Sequence, residues 1–256
     1  MMSDVFDFAG KVAMIVGAGG IGSAQALGFA GHGADIVTAD SRLEVAETAA
    51  EKVRALARKA LAVKVDVTDE KSVTGMVTKA IDTFGRIDIL VNAAGINIRG
   101  YDATDFPIEE WQKVIDVNTR GTLLCCQAVG RMMIKQGGGR IINISSVRGS
   151  YAPPDGGLGY CDSKAAVNLI TKALACAWAK HNILVNALAP TVVETEFTRS
   201  VLESPEGARQ LRESIPIGRW AMPEDIVGPT LFLASPASNF ITGQILYVDG
   251  GLTSRI

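Results

Sequence analysis

Lys11 to Asp40 is the stretch that most limits what this chain can fold into: KVAMIVGAGGIGSAQALGFAGHGADIVTAD. Val12 to Val16 is an unbroken apolar run rich in β-branched residues, which suits a parallel strand covered on both faces. Gly17, Gly19 and Gly22 follow in G-x-G-x-x-G spacing. A helix is expected from about Gly22 to His32, and Ile36 to Ala39 supplies a second strand. Such glycines let the backbone turn tightly and approach a pyrophosphate, while the helix start presents unbonded N–H groups and a partial positive charge. Asp40 closes the unit at a place where a carboxylate can accept hydrogen bonds from adenosine ribose hydroxyls. A tight turn with no ligand uses the same glycines, so the remainder of the chain decides between the two readings.

At 256 residues the chain is long enough to bury a sizeable core. Apolar residues make up 48% and charged residues 20%, which argues against disorder. A net charge of −2 with no basic block gives no support for nucleic acid as a partner. Cys125, Cys126, Cys161 and Cys176 lack metal-ligand spacing and read as reduced thiols. With only His32 and His181 available, no His-based metal site is expected. Met1 to Lys11 carries Asp4 and Asp7 rather than the basic-then-apolar layout of a signal peptide. No apolar run reaches membrane-spanning length, so a cytoplasmic protein with no membrane partner is expected.

Strand and helix signals alternate without a break in composition. Ser41 to Lys59 is expected to be helical, Leu61 to Val67 a strand, and Glu70 to Phe84 a helix closed by Gly85. Ile87 to Val91 is the fourth strand, followed by a polar loop holding Arg99. A helical pattern from Ile108 to Gln136 exceeds ordinary helix length, which predicts a break near Asn118 to Gly121. Arg140 to Ser146 is the fifth strand, and a loop with Pro153-Pro154 and Gly156-Gly157 leads to a helix over Tyr160 to Lys180. Ile183 to Ala189, a helix over Pro223 to Ser235, and a strand over Ile245 to Val248 complete the pattern. The expected fold is therefore α/β: one doubly wound parallel sheet of about seven strands, as a single domain with helices on both faces. Residues 190–213 are polar and irregular, the kind of segment that covers a site. Ligands in such sheets lie beyond the carboxyl ends of the strands, so Asp66, Asn92 to Gly95, Ser145-Ser146 and Pro190 to Thr195 should converge with the glycine turn.

Tyr160-Cys161-Asp162-Ser163-Lys164 carries the candidate chemistry. Residues four apart share a helix face, so the phenol and the ammonium can approach one point. A free tyrosine has a pKa near ~10, and a nearby cation lowers it. Such a phenol can take a proton from an alcohol as hydride leaves its carbon, or return it in reverse. An ordinary amphipathic helix with an exposed lysine has the same letters. Position favours the chemical reading, because Ser146 ends the preceding strand and its hydroxyl can hold the reacting oxygen.

Taken together these pieces resemble the classical short-chain dehydrogenase/reductase family over essentially the whole chain. They are Gly17-Ala18-Gly19-Gly20-Ile21-Gly22, Asp66-Val67, Asn92-Ala93-Ala94-Gly95, Asn118, Ser146, Tyr160 with Lys164, Pro190 to Thr195, and Asp249-Gly250-Gly251. The resemblance implies a Rossmann-type NAD(P)-binding domain with Tyr160 as general acid/base and Ser146 orienting substrate. It implies that Lys164 binds the nicotinamide ribose and that Asn118 holds a water in the proton relay. Asp66 and Val67 would flank adenine, Asn92 and Gly95 would belong to the cofactor site, and Val193 and Thr195 would contact the nicotinamide carboxamide and nearby phosphate. Family members are commonly tetramers, built on the helices that begin here near Ile108 and Tyr160.

Three positions depart from the family pattern: the glycine turn is one residue shorter with Val16 in the Thr place, Ala93 replaces the second Asn, and Thr191 replaces the Gly after the late proline. Asp40 repels a 2′-phosphate and accepts from free ribose hydroxyls, which predicts NAD over NADP; Arg42, two residues on, is the counter-argument. Arg99 and Arg148 sit in loops that should border the substrate, where guanidinium groups suit an anionic end. The expected activity is interconversion of a secondary alcohol and a ketone on a small polar substrate such as a sugar acid or polyol. Two alternatives stand beside it: an NADPH-dependent 3-oxoacyl-[acyl-carrier-protein] reductase, and a non-catalytic nucleotide-sensing protein. An epimerase or dehydratase with the same motifs generally needs an extra substrate domain, for which the chain has no room.

Overall fold

A computed structural model describes residues 5–153 and 157–255; Asp4, Pro154 and Gly156 lie outside the described residues. Strands β1 (Val12–Val16), β2 (Asp35–Asp40), β3 (Ala60–Lys64), β4 (Ile89–Asn92), β5 (Gly139–Ile144), β6 (Ile183–Pro190) and β7 (Ile245–Val248) form one sheet. Its order is β3-β2-β1-β4-β5-β6-β7, and every pairing is parallel. The first six helices in chain order are α1 (Gly20–Gly31), α2 (Leu43–Arg54), α3 (Glu70–Phe84), α4 (Ile108–Ile115), α5 (Thr122–Gln136) and α6 (Tyr160–Trp178). Helices α7 (Arg199–Leu202), α8 (Pro205–Ser214) and α9 (Pro223–Ala234) follow β6.

Alternate residues of β1 account for the two helical layers. Val12, Met14 and Val16 belong to a core with Val73 and Met76 of α3 and Cys125 and Met133 of α5. Ala13 and Ile15 belong to the opposite core with Ala26 and Phe29 of α1 and Ile226 of α9. Side chains point to alternate faces of a strand, so an unbroken apolar run is what a doubly covered sheet requires. Each large aliphatic side chain buried this way contributes roughly 1.5–3 kcal/mol. The chain leaves β3 at one edge and returns to pair β4 against β1, so strand order reverses there. That reversal opens a crevice beyond the carboxyl ends of β1 and β4.

The long helical pattern does break where the spacing predicts. Asp116–Gly121 is a π-helical segment between α4 and α5, and the Thr122 hydroxyl donates to the Asn118 carbonyl at 2.7 Å within the widened turns. Helix α3 is bounded as expected: the Asp69 carboxylate accepts from the Lys71 and Ser72 N–H groups, and Gly85 ends it with φ 75°.

Several ends differ from the sequence expectation. β3 stops at Lys64 rather than Val67, because the Asp66 carboxylate accepts from the Thr68 N–H (2.9 Å) and hydroxyl (2.7 Å) and folds the chain into a turn. β5 stops at Ile144, since Ser146 instead caps the short 3-10 turn Val147–Gly149 through the Arg148 N–H. Helix α1 begins at Gly20, two residues before the expected start, because the N-cap falls on Gly19.

After β6 the chain forms a 3-10 turn (Glu196–Thr198), α7 and α8, and returns at Ala221. A parallel bridge between Val193 and Ala221 closes this excursion, with hydrogen bonds of 2.8 Å from the Glu194 N–H to the Ala221 carbonyl and 3.0 Å from the Ala221 N–H to the Val192 carbonyl. Among the described residues no helix is long and apolar enough to cross a membrane.

Candidate active site

The carboxyl ends of the strands open into a cleft of about 1520 Å³. Gly17, Gly19, Gly20, Ile21 and Gly22 form one wall. The turn is built from glycine for two separate reasons. Gly17 has φ 91°, and a Cβ there would lie 2.3 Å from the Ala94 nitrogen; a Cβ on Gly22 would lie 1.9 Å from the Gly17 carbonyl oxygen. These two are demanded by the fold itself. A Cβ on Gly19 would meet only Val45 Cγ1, at 3.7 Å, so the space above it is open. Thr195, from the far side of the cleft, packs against Gly20.

Asp40 is held facing this turn by two backbone donors at 3.1 Å: the Ala18 N–H to Oδ2 and the Arg42 N–H to Oδ1. Asp66 and Val67 also line the cleft, although the Asp66 carboxylate is occupied by Thr68. Asn92 is different. Its side chain is buried in the sheet, where Nδ2 donates to Asn143 Oδ1 at 2.9 Å, so it faces away from the cleft that Gly95 lines.

Tyr160 opens α6, and Ser146 follows β5, so the two meet although the sequence separates them by a loop. Burial pushes the Tyr160 phenol above its ordinary pKa, while a hydrogen bond with Ser146 and the charges of Arg99 and Arg148 pull it down. The spacing argument expected Lys164 to do the lowering. In the fold its Nζ donates to the Ile144 carbonyl at 2.8 Å and stands 5.6 Å from the centre of the Tyr160 ring. Burial in turn lowers the Lys164 ammonium to about 8.

Asn118 is fully buried in the π segment. Its Oδ1 accepts from the Ile96 N–H at 2.8 Å, and its Nδ2 donates to the Ile96 carbonyl at 2.9 Å and to Ser163 Oγ at 3.0 Å. It thereby ties the loop after β4 to the helix that carries Tyr160 and Lys164. Widened π turns are frequent at functional sites.

Arg99 and Arg148 both line the cleft from separate loops. The Arg148 guanidinium lies 4.9 Å above the ring of Tyr151. Among the described residues neither arginine has a carboxylate partner. Thr191 and Val193 line the cleft as well, with Val193 almost fully buried. Sequence reasoning pointed to the loop from Tyr151 and to residues 190–213 as bordering the site, but it assigned no role to Tyr151, Glu196 or Phe197 and did not mention Arg255. Phe197 lies 6.0 Å from Tyr160, and Arg255 donates to the Glu213 and Ser214 carbonyls at the end of α8. No local motif marks these residues, because only the fold brings them to the cleft.

A family model described as "Enoyl-(Acyl carrier protein) reductase" matches residues 16–253. A 2-dehydro-3-deoxy-D-gluconate 5-dehydrogenase of Dickeya dadantii (strain 3937) is 42% identical over 100% of both chains. The chain belongs to the short-chain dehydrogenase/reductase family. It is an NAD(P)-dependent oxidoreductase of CH–OH and C=O groups. A 3-oxoacyl-[acyl-carrier-protein] reductase of Thermotoga maritima is 41% identical, with 95% of this chain and 98% of the other covered. The crystal structure of a gluconate 5-dehydrogenase from Burkholderia cenocepacia J2315 in complex with NADP and tartrate superposes with a TM-score of 0.94 at 38% identity, covering 99% of each chain. The cleft of this short-chain dehydrogenase fits a nicotinamide dinucleotide on its own geometry. Only Val45 lies within 4 Å of a Cβ placed on Gly19, and no side chain caps the first turn of α1, the arrangement that suits an anion at a helix start.

Proposed function

We propose that this enzyme interconverts a hydroxyl and a ketone on a small sugar acid or related polar hydroxy compound, with NAD preferred over NADP. The observation that carries the substrate reading is the pair of guanidinium groups, Arg99 and Arg148, which act on Tyr160 from two loops and have no carboxylate partner among the described residues. An anionic substrate group supplies the missing counter-charge. The relatives support the same class: one is named for 2-dehydro-3-deoxy-D-gluconate, and another structure holds tartrate.

In this reading the substrate oxygen lies between the Ser146 hydroxyl and the Tyr160 phenol. Ser146 donates a hydrogen bond to it, and Tyr160 takes the alcohol proton during oxidation or gives it back during reduction. A nicotinamide cofactor, when bound, would supply the hydride acceptor or donor for this exchange. Lys164, anchored through its Nζ to the Ile144 carbonyl, holds the nicotinamide ribose. Asn118 fixes Gly95 and Ile96 against α6, so the loop beside the ribose keeps its position. The glycine turn with Ile21, the first turn of α1 and Thr195 receive the phosphates, Asp40 the adenosine ribose, Asp66 and Val67 the adenine edge, and Val193 the carboxamide. Residues 190–213 cover the substrate side, within a single domain. Assembly into a tetramer in the cytoplasm completes the proposal; α4 and α6 carry the exposed Ile108 and Leu169 suited to it.

Arg148→Ala should raise KM for hydroxy acids by roughly tenfold or more, the scale of a lost hydrogen bond to a charged group, and leave KM for uncharged polyols unchanged. An unchanged KM for acids in a folded variant removes Arg148 from the substrate pocket. The NAD preference is tested by titrating NADH and NADPH and following nicotinamide fluorescence. Tighter NADH binding is expected because Asp40 opposes a 2′-phosphate; tighter NADPH binding ends that reading. The 41% identical acyl-carrier-protein reductase favours a second activity, reduction of 3-oxoacyl thioesters with NADPH. Turnover of an acetoacetyl thioester faster than of any hydroxy acid would establish it.

A further inference from the structure

We propose that Glu196 sets cofactor choice at one remove, by holding the Arg42 guanidinium away from the place a 2′-phosphate would occupy. The inference rests on the NAD reading above and deepens it. The Arg42 N–H donates to Asp40 Oδ1 at 3.1 Å, so its side chain springs from the backbone that cups the ribose-selecting carboxylate. A guanidinium at this position is what a 2′-phosphate would recruit. In the fold Arg42 Nη2 instead lies 3.9 Å from Glu196 Oε2, on the segment that crosses from the other side of the cleft. Asp40, Arg42 and Glu196 all line the same cleft.

Glu196 is not on a loose tip. The preceding Thr195 packs against Gly20 of the phosphate turn. The Thr195 N–H donates to the Thr198 hydroxyl at 3.1 Å, and that hydroxyl in turn donates to the Val193 carbonyl at 2.5 Å. The carboxylate therefore starts from a fixed turn beside the cofactor's phosphates. A 2′-phosphate beside Asp40 would face the carboxylates of Asp40 and Glu196 with Arg42 drawn toward Glu196, whereas free ribose hydroxyls can donate to the Asp40 carboxylate. Both members of the pair are well exposed, 57% for Arg42 and 74% for Glu196, so the ion pair itself contributes little to folding. Its consequence is selectivity.

The test is a fluorescence titration of NADH and NADPH with the wild type, Glu196→Gln, Arg42→Gln and the double variant. Glu196→Gln should shift the ratio of the two Kd values toward NADPH by about fivefold, the upper scale of an exposed ion pair. That gain should vanish when Arg42→Gln is the background. An unchanged ratio in Glu196→Gln overturns the proposal. So does an equal gain in the Arg42→Gln background, because loss of one negative charge rather than release of Arg42 would then be the cause. NADH binding by each variant reports that the protein is folded. A wild type that binds NADPH more tightly than NADH ends the NAD reading and this inference with it; an NADH-preferring wild type with an unresponsive Glu196→Gln ends this inference alone.

Discussion

Tyr160→Phe is expected to lower turnover by about 10³-fold, within the range for loss of a positioned proton donor and acceptor. The substitution removes one oxygen and keeps the ring, so the contact with Phe197 at 6.0 Å persists and circular dichroism should match the wild type. The two directions of the reaction should also respond oppositely to pH. With Tyr160 as the proposed proton carrier, oxidation would need the phenolate and reduction the phenol. Burial favours the neutral phenol, since it holds the Tyr160 pKa above its ordinary value. Ketone reduction should therefore be well supported at neutral pH, and alcohol oxidation should climb as pH rises into the alkaline range. A Tyr160→Phe variant with near wild-type kcat would remove Tyr160 from the chemistry. Parallel pH profiles in the two directions would remove it as the titrating group.

The glycine turn yields a second large effect because its glycines serve different ends. Gly22→Ala places a methyl 1.9 Å from the Gly17 carbonyl oxygen, with backbone on both sides of the clash. Relief requires α1 to move off β1, at a cost of about 3 kcal/mol, or a Tm lower by roughly 6–12 °C. Gly19→Ala meets only Val45 at 3.7 Å and has an ordinary φ of −81°, so its stability should fall by no more than about 1 kcal/mol. Its methyl instead fills the space over the first turn of α1, and NADH affinity should fall at least tenfold. Thermal unfolding and NADH titration of the two variants separate these outcomes. Full NADH affinity in Gly19→Ala would mean that the phosphates do not lie on this turn.

Much of the architecture was legible in the chain because its causes are local. The apolar run of β1 belongs to a strand covered on both faces, and both of its faces are indeed buried. Gly85 marks the end of α3 through a φ preference that needs no distant partner. Helix length alone placed the break near Asn118, although its form, a π segment, is set by packing against Ile96 and Ser163. Strand ends were less legible: β3 and β5 stop early because Asp66 and Ser146 turn the backbone with their own side chains. Asn92 shows that position at a strand end does not give side-chain direction. It ends β4 at the mouth of the cleft, yet the pleat directs its side chain inward to Asn143.

The sequence by itself determined the alternation of strand and helix, the glycine turn, and the pairing of Tyr160 with Lys164 on one helix face. These follow from periodicity, backbone permissiveness and residue spacing, all of which act within a few residues. Only the tertiary structure decided what surrounds Tyr160. Burial raises the Tyr160 phenol, Lys164 turns to the Ile144 carbonyl, and Arg99 and Arg148 arrive from two loops. Arg42 meets Glu196 across the cleft for the same reason. Charge and desolvation act through space, and distances between residues far apart in the chain exist only once the sheet has brought its carboxyl ends together.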